Sequence, residues 1–239
     1  MKKGDKPKDL SQQWWSKNKA KTLKSTGLGK VLGAYEKLRA GTQSLKYFQD
    51  CYKELNKIPA AVEKSKKMCN EKLHAETLAA LDGYSAVISK EMQALSKDET
   101  EYTKKLSIFK SSREKLVKEL TDMHQKADQN CTLGKSGLKK LKEAVEKKDV
   151  ATATKLANAV RSAGDTTVKI VEDAIKKCAP WRTGESPYNQ PGLEMNDRDN
   201  AGGTKTLETI NPLMVQLGSF KTDASKFGEE VDKLLKKLG

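Results

Sequence analysis

Apolar residues along most of this chain recur at three- and four-residue steps. Between residues 28 and 55, Leu28, Val31, Tyr35, Leu38, Thr42, Leu45, Tyr52 and Leu55 keep that spacing, broken only at Gln49, which predicts one helix with a single buried face. Pro59 stands where a helix tolerates proline, in its first turn, so a short link after Asn56 leads into a helix carrying Val62, Cys69, Leu73, Ala80, Tyr84 and Val87. Leu81, Ile88, Leu95, Tyr102, Phe109, Leu116 and Met123 then form an uninterrupted seven-residue repeat. One helix passing straight through "SKDETE" at 96–101 would satisfy it. Ser96 and Glu99 have capping-box spacing, however, and six consecutive polar residues suit a tight turn, so a turn near 96–100 is the expectation, with Asp82-Gly83 as another possible break.

A helix over about 101–129 follows, with Arg113 on its apolar seam, where an arginine reaches out along its own stem or pairs with a carboxylate on a neighbouring helix. Asn130 and Gly134 read as helix stops and Ser136 as the N-cap of a short helix over 136–147. Asp149 reads as the cap of a helix of about 30 residues ending at Cys178. Ala153, Ala157, Ala163 and Gly164 on that helix, and Gly29, Gly33 and Gly41 earlier, would let neighbouring helices approach closely, since each glycine costs about 1 kcal/mol of helix stability relative to alanine. "APWRTGESPYNQPGLEMNDRDNAGG" (179–203) loses all periodicity and holds three of the six prolines. It reads as a long irregular loop held to the bundle by Trp181. A last helix over about 205–237 carries Leu207, Ile210, Met214, Leu217, Ala224, Val231, Leu234 and Leu238.

These elements predict an all-α fold: an elongated up-and-down bundle of about five long helices and one short helix with coiled-coil-like packing. Residues 1–24 form a basic N-terminal arm and 25–239 the bundle domain, with its Pro/Gly-rich loop at 179–203. Composition agrees, because 36% apolar against 33% charged residues leaves each helix one stripe to bury. No apolar run reaches 18 residues and no apolar segment follows "MKK", so the expectation is a soluble, cytoplasmic chain without a membrane span or secretory signal. The four cysteines, Cys51, Cys69, Cys131 and Cys178, match neither a zinc knuckle nor a small disulfide scaffold and read as buried thiols.

Candidate chemistry is sparse. Gly134-Lys135-Ser136 ends like a phosphate-binding loop, but the glycine that motif needs five residues earlier is Gln129, and no buried strand precedes it. "STGLGKVLG" (25–33) fails in the same way at Lys24. Glu71 and His74 make one half of a di-iron bundle motif, while Thr121 stands where His124 would need its glutamate. No catalytic residue, metal, cofactor or small-molecule substrate is therefore expected. A cofactor-free enzyme built on Asp197, Arg198 and Asp199 of the 179–203 loop is the third-ranked reading.

Charge changes the picture. The chain carries +14, from 46 basic and 32 acidic residues. Nine lysines against Asp5 and Asp9 in residues 1–30 give +7, and six lysines against Glu143 and Glu146 in 135–148 give +4. Only Arg39, Arg113, Arg161, Arg182 and Arg198 are arginines, which favours non-specific attraction over base reading. The expected partner surface comprises Lys17, Lys19, Lys21, Lys24, Lys135, Lys139, Lys140 and Lys142, with Trp14, Trp15 and Trp181. The leading expectation is a non-enzymatic structural or adaptor protein that meets an acidic protein or associates with itself. The alternative is peripheral binding to an anionic membrane or non-specific binding to nucleic acid. Trp14 and Trp15 stand among lysines on a weakly amphipathic stretch, which suits packing onto the bundle better than insertion into lipid.

Overall fold

A computed structural model describes residues 27–68, 83–183 and 189–238. The basic arm at 1–24 and the Glu71/His74 half-motif lie outside these residues. Among the described residues the chain is all-α: α1 (Leu28–Arg39), α2 (Leu45–Leu55), α3 (Ile58–Met68), α4 (Tyr84–Glu146), α5 (Val150–Arg182), α6 (Met195–Asn200), α7 (Gly203–Ser225) and α8 (Phe227–Leu235). The chain divides into two compact units, the first comprising residues up to Ser107 with Pro191–Asp197, the second Ile108–Gln190 with Arg198–Gly239.

In the first unit α1, α2 and α3 pack on the early turns of α4. The predicted 28–55 helix is two helices. Gly41 interrupts it, and the Ser44 hydroxyl accepts a hydrogen bond from the Tyr47 amide, capping α2. A steady apolar spacing across Thr42 had masked that break. The link at Asn56 and Lys57 and the placing of Pro59 in the first turn of α3 are as read from the sequence. Leu28, Leu32, Tyr35, Phe48, Cys51, Leu55, Ile58, Leu95 and Tyr102 form the interior. Among the described residues nothing lies within 4 Å of a β-carbon placed on Gly33.

The turn expected at 96–100 is absent, because α4 runs unbroken for 63 residues. The polar run is not a turn but a set of partners for half-buried groups. Asp98 accepts from Arg39 Nη1 at 3.1 Å and Glu99 accepts from the Tyr52 hydroxyl at 2.9 Å. Thr100 bonds back to the Ser96 carbonyl within the helix. The seven-residue repeat supplies the other force, with Ile88, Leu95, Tyr102, Phe109 and Leu116 all buried; each large apolar side chain withdrawn from water contributes roughly 1.5–3 kcal/mol.

In the second unit α4 continues through the "NCTLGKSG" stretch, and the stops expected at Asn130 and Gly134 are helix interior. Gly134 faces the Phe227 ring, where a β-carbon would lie 2.7 Å from Cδ2 and 2.8 Å from Cζ. Gly137 faces Val160, where it would lie 2.6 Å from a methyl. Gly164 on α5 does what its sequence position suggested: a β-carbon there would lie 3.1 Å from the Ala224 carbonyl. The glycines weaken the helix locally and let α5 and α8 approach. Around them Cys131, Leu141, Ala144, Val145, Ala153, Ala157, Val160, Phe227 and Val231 form one core. The other core joins Leu116, Leu120, Ala127, Val171, Ala174, Cys178, Ile210 and Leu217.

Asp149 caps α5 as expected, accepting from the Thr152 amide at 3.1 Å, and the Thr152 side chain together with that amide holds its carboxyl below the ordinary range. Two boundaries differ from expectation. Helix α5 continues through Pro180 to Arg182, and α6 occupies 195–200, so both stretches of the predicted 179–203 loop are helical. The single helix expected over 205–237 is broken at Lys226, which turns Phe227 in between Gly134 and Gly164. The α4–α5 connection is a Schellman turn, in which the Asp149 amide donates to the Ala144 carbonyl and the Lys148 amide to the Val145 carbonyl, both at 3.0 Å. Its left-handed position holds Lys148 at φ 55°, a conformation costing about 1 kcal/mol for a residue with a β-carbon.

Candidate functional site

The residues with the most chemical capacity are engaged in holding the fold. Asp197 is buried in the first unit and accepts from the Tyr102 hydroxyl at 2.6 Å and from the Leu45 amide at 2.9 Å. It therefore closes the open N-terminus of α2 alongside Ser44. Burial, followed by the hydrogen bond to Asp197, pushes the Tyr102 hydroxyl up to about 12. Arg39 joins Tyr47, Asp98 and Glu91 into a half-buried network, and Glu91 also accepts from the Tyr35 hydroxyl at 2.8 Å. Desolvation raises Tyr35 and Tyr47 as well.

In the second unit Arg198 donates to Asn189 and to the Gln190 carbonyl, both at 3.1 Å, while Asp199 accepts from the Thr204 hydroxyl. The three loop residues named as an enzyme's polar inventory thus have separate structural partners. Arg113 lies over Phe109, 4.1 Å from its ring centroid, and 5.8 Å from that of Trp181, and it donates to the Gly203 carbonyl. Desolvation lowers its pKa, with the nearby Arg198 charge acting in the same direction. A backbone carbonyl and two aromatic faces are among the partners it meets on the seam. Trp181 is accordingly a core residue at the end of α5, half-buried against the Leu120 and Cys178 layer.

Cys51, Cys131 and Cys178 are buried free thiols, each pushed up by desolvation. Among the described residues, no three histidine, cysteine or acidic side chains gather where they could hold a metal. No described helix is long and apolar enough to cross a membrane.

The lysines predicted for partner contact separate into three sets. Lys17, Lys19, Lys21 and Lys24, with Trp14 and Trp15, lie outside the described residues. Lys135, the lysine of the apparent phosphate loop, is engaged by Asp223 at 2.6 Å, and that bond raises its pKa. Lys139, Lys140 and Lys142 are exposed on the last turns of α4. The fold adds lysines that the sequence reading did not name as site residues. Gly137 against Val160, and the Arg161–Asp232 ion pair, show α5 running back alongside α4 and α8 running back alongside α5. The Lys135–Asp223 pair places α4 and the α7–α8 segment side by side in the same direction. Helix α8 and its C-terminal tail therefore finish at the α4–α5 turn. Leu234, Leu235 and Leu238 pack on the core containing Leu141, Val145 and Ala153, and Lys233, Lys236 and Lys237 are exposed beside them. Their only local signal was a lysine-rich helix end, and nothing nearby in the sequence ties it to residues 139–148.

Comparison with known proteins gives no match to a family profile, a curated protein sequence or a solved structure.

Proposed function

We propose that this chain is a non-enzymatic structural or adaptor protein that presents basic helical faces to an acidic partner. One observation carries the reading: among the described residues Asp197, Tyr102, Arg39 and Arg198 are engaged within the fold, whereas Lys139, Lys140 and Lys142 are directed to solvent. Exposed lysines attract polyanions through a field that salt screens, and they need no shaped pocket to do so. The seven-residue seam that would favour self-association is occupied within the chain from Ile88 to Leu116, so the basic surface is the better-supported contact.

The test is retention of the intact chain on anionic vesicles, random duplex DNA and polyglutamate, with neutral vesicles as reference, across a salt series. The reading expects binding to at least one anionic surface at low salt and its steep loss as salt rises. Failure to bind any of them at low salt overturns it.

A further inference from the structure

We infer that the end of the second unit where α4, α5 and α8 meet docks on an anionic lipid bilayer. This rests on the reading above and names its partner. Nine exposed lysines gather there: Lys139, Lys140, Lys142, Lys147 and Lys148 from α4 and its turn, Lys155 from α5, and Lys233, Lys236 and Lys237 from α8 and its tail. The acids among them are Glu143, Glu146, Asp149, Glu229 and Glu230, so nine minus five leaves +4. Asp149 is already engaged as the α5 cap, and Asp232 is paired with Arg161.

Two features separate this surface from ordinary solubilising charge. A lysine in the last turn of a helix complements its dipole, which accounts for Lys233 on α8, whereas α4 has no basic residue in its last turn. It does not account for Lys155, near the N-terminal end of α5. Lys148 also occupies the left-handed position of the turn, where glycine relieves the strain. Lys148 thus carries a positive charge at a backbone position that glycine would occupy with less strain.

The shape selects the partner. Residues 146–152 are all exposed, with Val150 at 59% the most accessible apolar side chain of the turn. The lysines surround a protruding turn; they do not line a groove that could track a nucleic-acid backbone. They are lysines throughout, point charges without the bidentate fork that suits base recognition. Clusters of this size, with a small apolar tip that can sit among headgroups, fit a planar, laterally mobile anionic surface.

The experiment is co-sedimentation of the full chain with phosphatidylcholine vesicles with and without phosphatidylserine, and a parallel measurement with random duplex DNA. Neutralising Lys139, Lys142, Lys236 and Lys237 to glutamine should weaken binding to the serine-lipid vesicles by about tenfold or more. The control with Lys118, Lys126, Lys169 and Lys205 changed to glutamine should stay within about twofold of the parent, since these exposed lysines lie away from that end. Lys148→Gly provides a variant that cannot fail by misfolding. It should bind about two- to fivefold more weakly while unfolding at higher urea, a combination that a merely structural lysine would not give. Unchanged vesicle binding in the fourfold variant overturns the inference. If deleting residues 1–24 removes vesicle binding while the fourfold variant keeps it, the inference falls but the basic-surface reading stands. Tighter DNA than vesicle binding at equal salt, lost in the fourfold variant, replaces lipid with nucleic acid. Absence of binding to any anionic surface removes both.

Discussion

Replacing Gly134 with alanine separates the observed packing from a turn at the same residues. Within a helix, an alanine in place of glycine contributes about 1 kcal/mol of stability. At Gly134 the added methyl enters the space of the Phe227 ring, with Cδ2 at 2.7 Å, and overpacking of this kind costs about 1–3 kcal/mol. The net expectation is destabilisation by about 1 kcal/mol, because the ring is wedged against Gly164 and has little room to retreat. Phe227→Ala alone should cost about 3–5 kcal/mol. In that background the methyl enters empty space, so Gly134→Ala should become stabilising by up to about 1 kcal/mol. The sign reverses, and the coupling is about 2 kcal/mol. Urea unfolding of the four proteins, followed by far-ultraviolet circular dichroism, measures it, with Phe227→Leu as the milder background should the alanine variant unfold. A left-handed turn glycine would be destabilised by alanine equally in both backgrounds. Coupling near zero therefore refutes the packing, and a stabilised single variant refutes it as well.

Alkaline pH should loosen the first unit. The Tyr102 hydroxyl is raised to about 12 from an ordinary value near 10, by burial first and the Asp197 bond second, so its contribution to stability is intact below about pH 10 and is lost as pH rises through about 12; Tyr102→Phe should flatten that part of a stability–pH curve, and an unchanged curve would dismiss Tyr102 as its cause. Asp149→Ala should lower stability by about 1 kcal/mol through loss of the α5 cap, with Asp149→Ser restoring most of it; equal losses in both variants would contradict a capping role.

Helix type and burial were legible because they depend on a periodic pattern that each helix carries within itself. Ile88, Leu95, Tyr102, Phe109 and Leu116 were read as one face and are one face. Boundaries were less legible, since their punctuation is local and its meaning is set by distant partners. Asp98 and Glu99 looked like turn residues because Arg39 and Tyr52, which engage them, lie on other helices. Gly134 looked like a stop because Phe227 is far along the chain. The reverse error occurred at Gly41 to Ser44, where Thr42 preserved the spacing across a true break. Half of the candidate surface was visible as the run of lysines at 139–148, and its continuation by Lys233, Lys236 and Lys237 appears only once α8 is seen to end beside the α4–α5 turn.

Lysine acetylation footprinting of the intact chain, with and without serine-lipid vesicles and read by mass spectrometry, tests most directly whether that surface is the one in use. The account predicts reduced labelling of Lys139, Lys140, Lys142, Lys147, Lys148, Lys233, Lys236 and Lys237, with Lys118, Lys126, Lys169 and Lys205 unchanged. Uniform labelling of all twelve, or protection confined to residues 1–24, would contradict it.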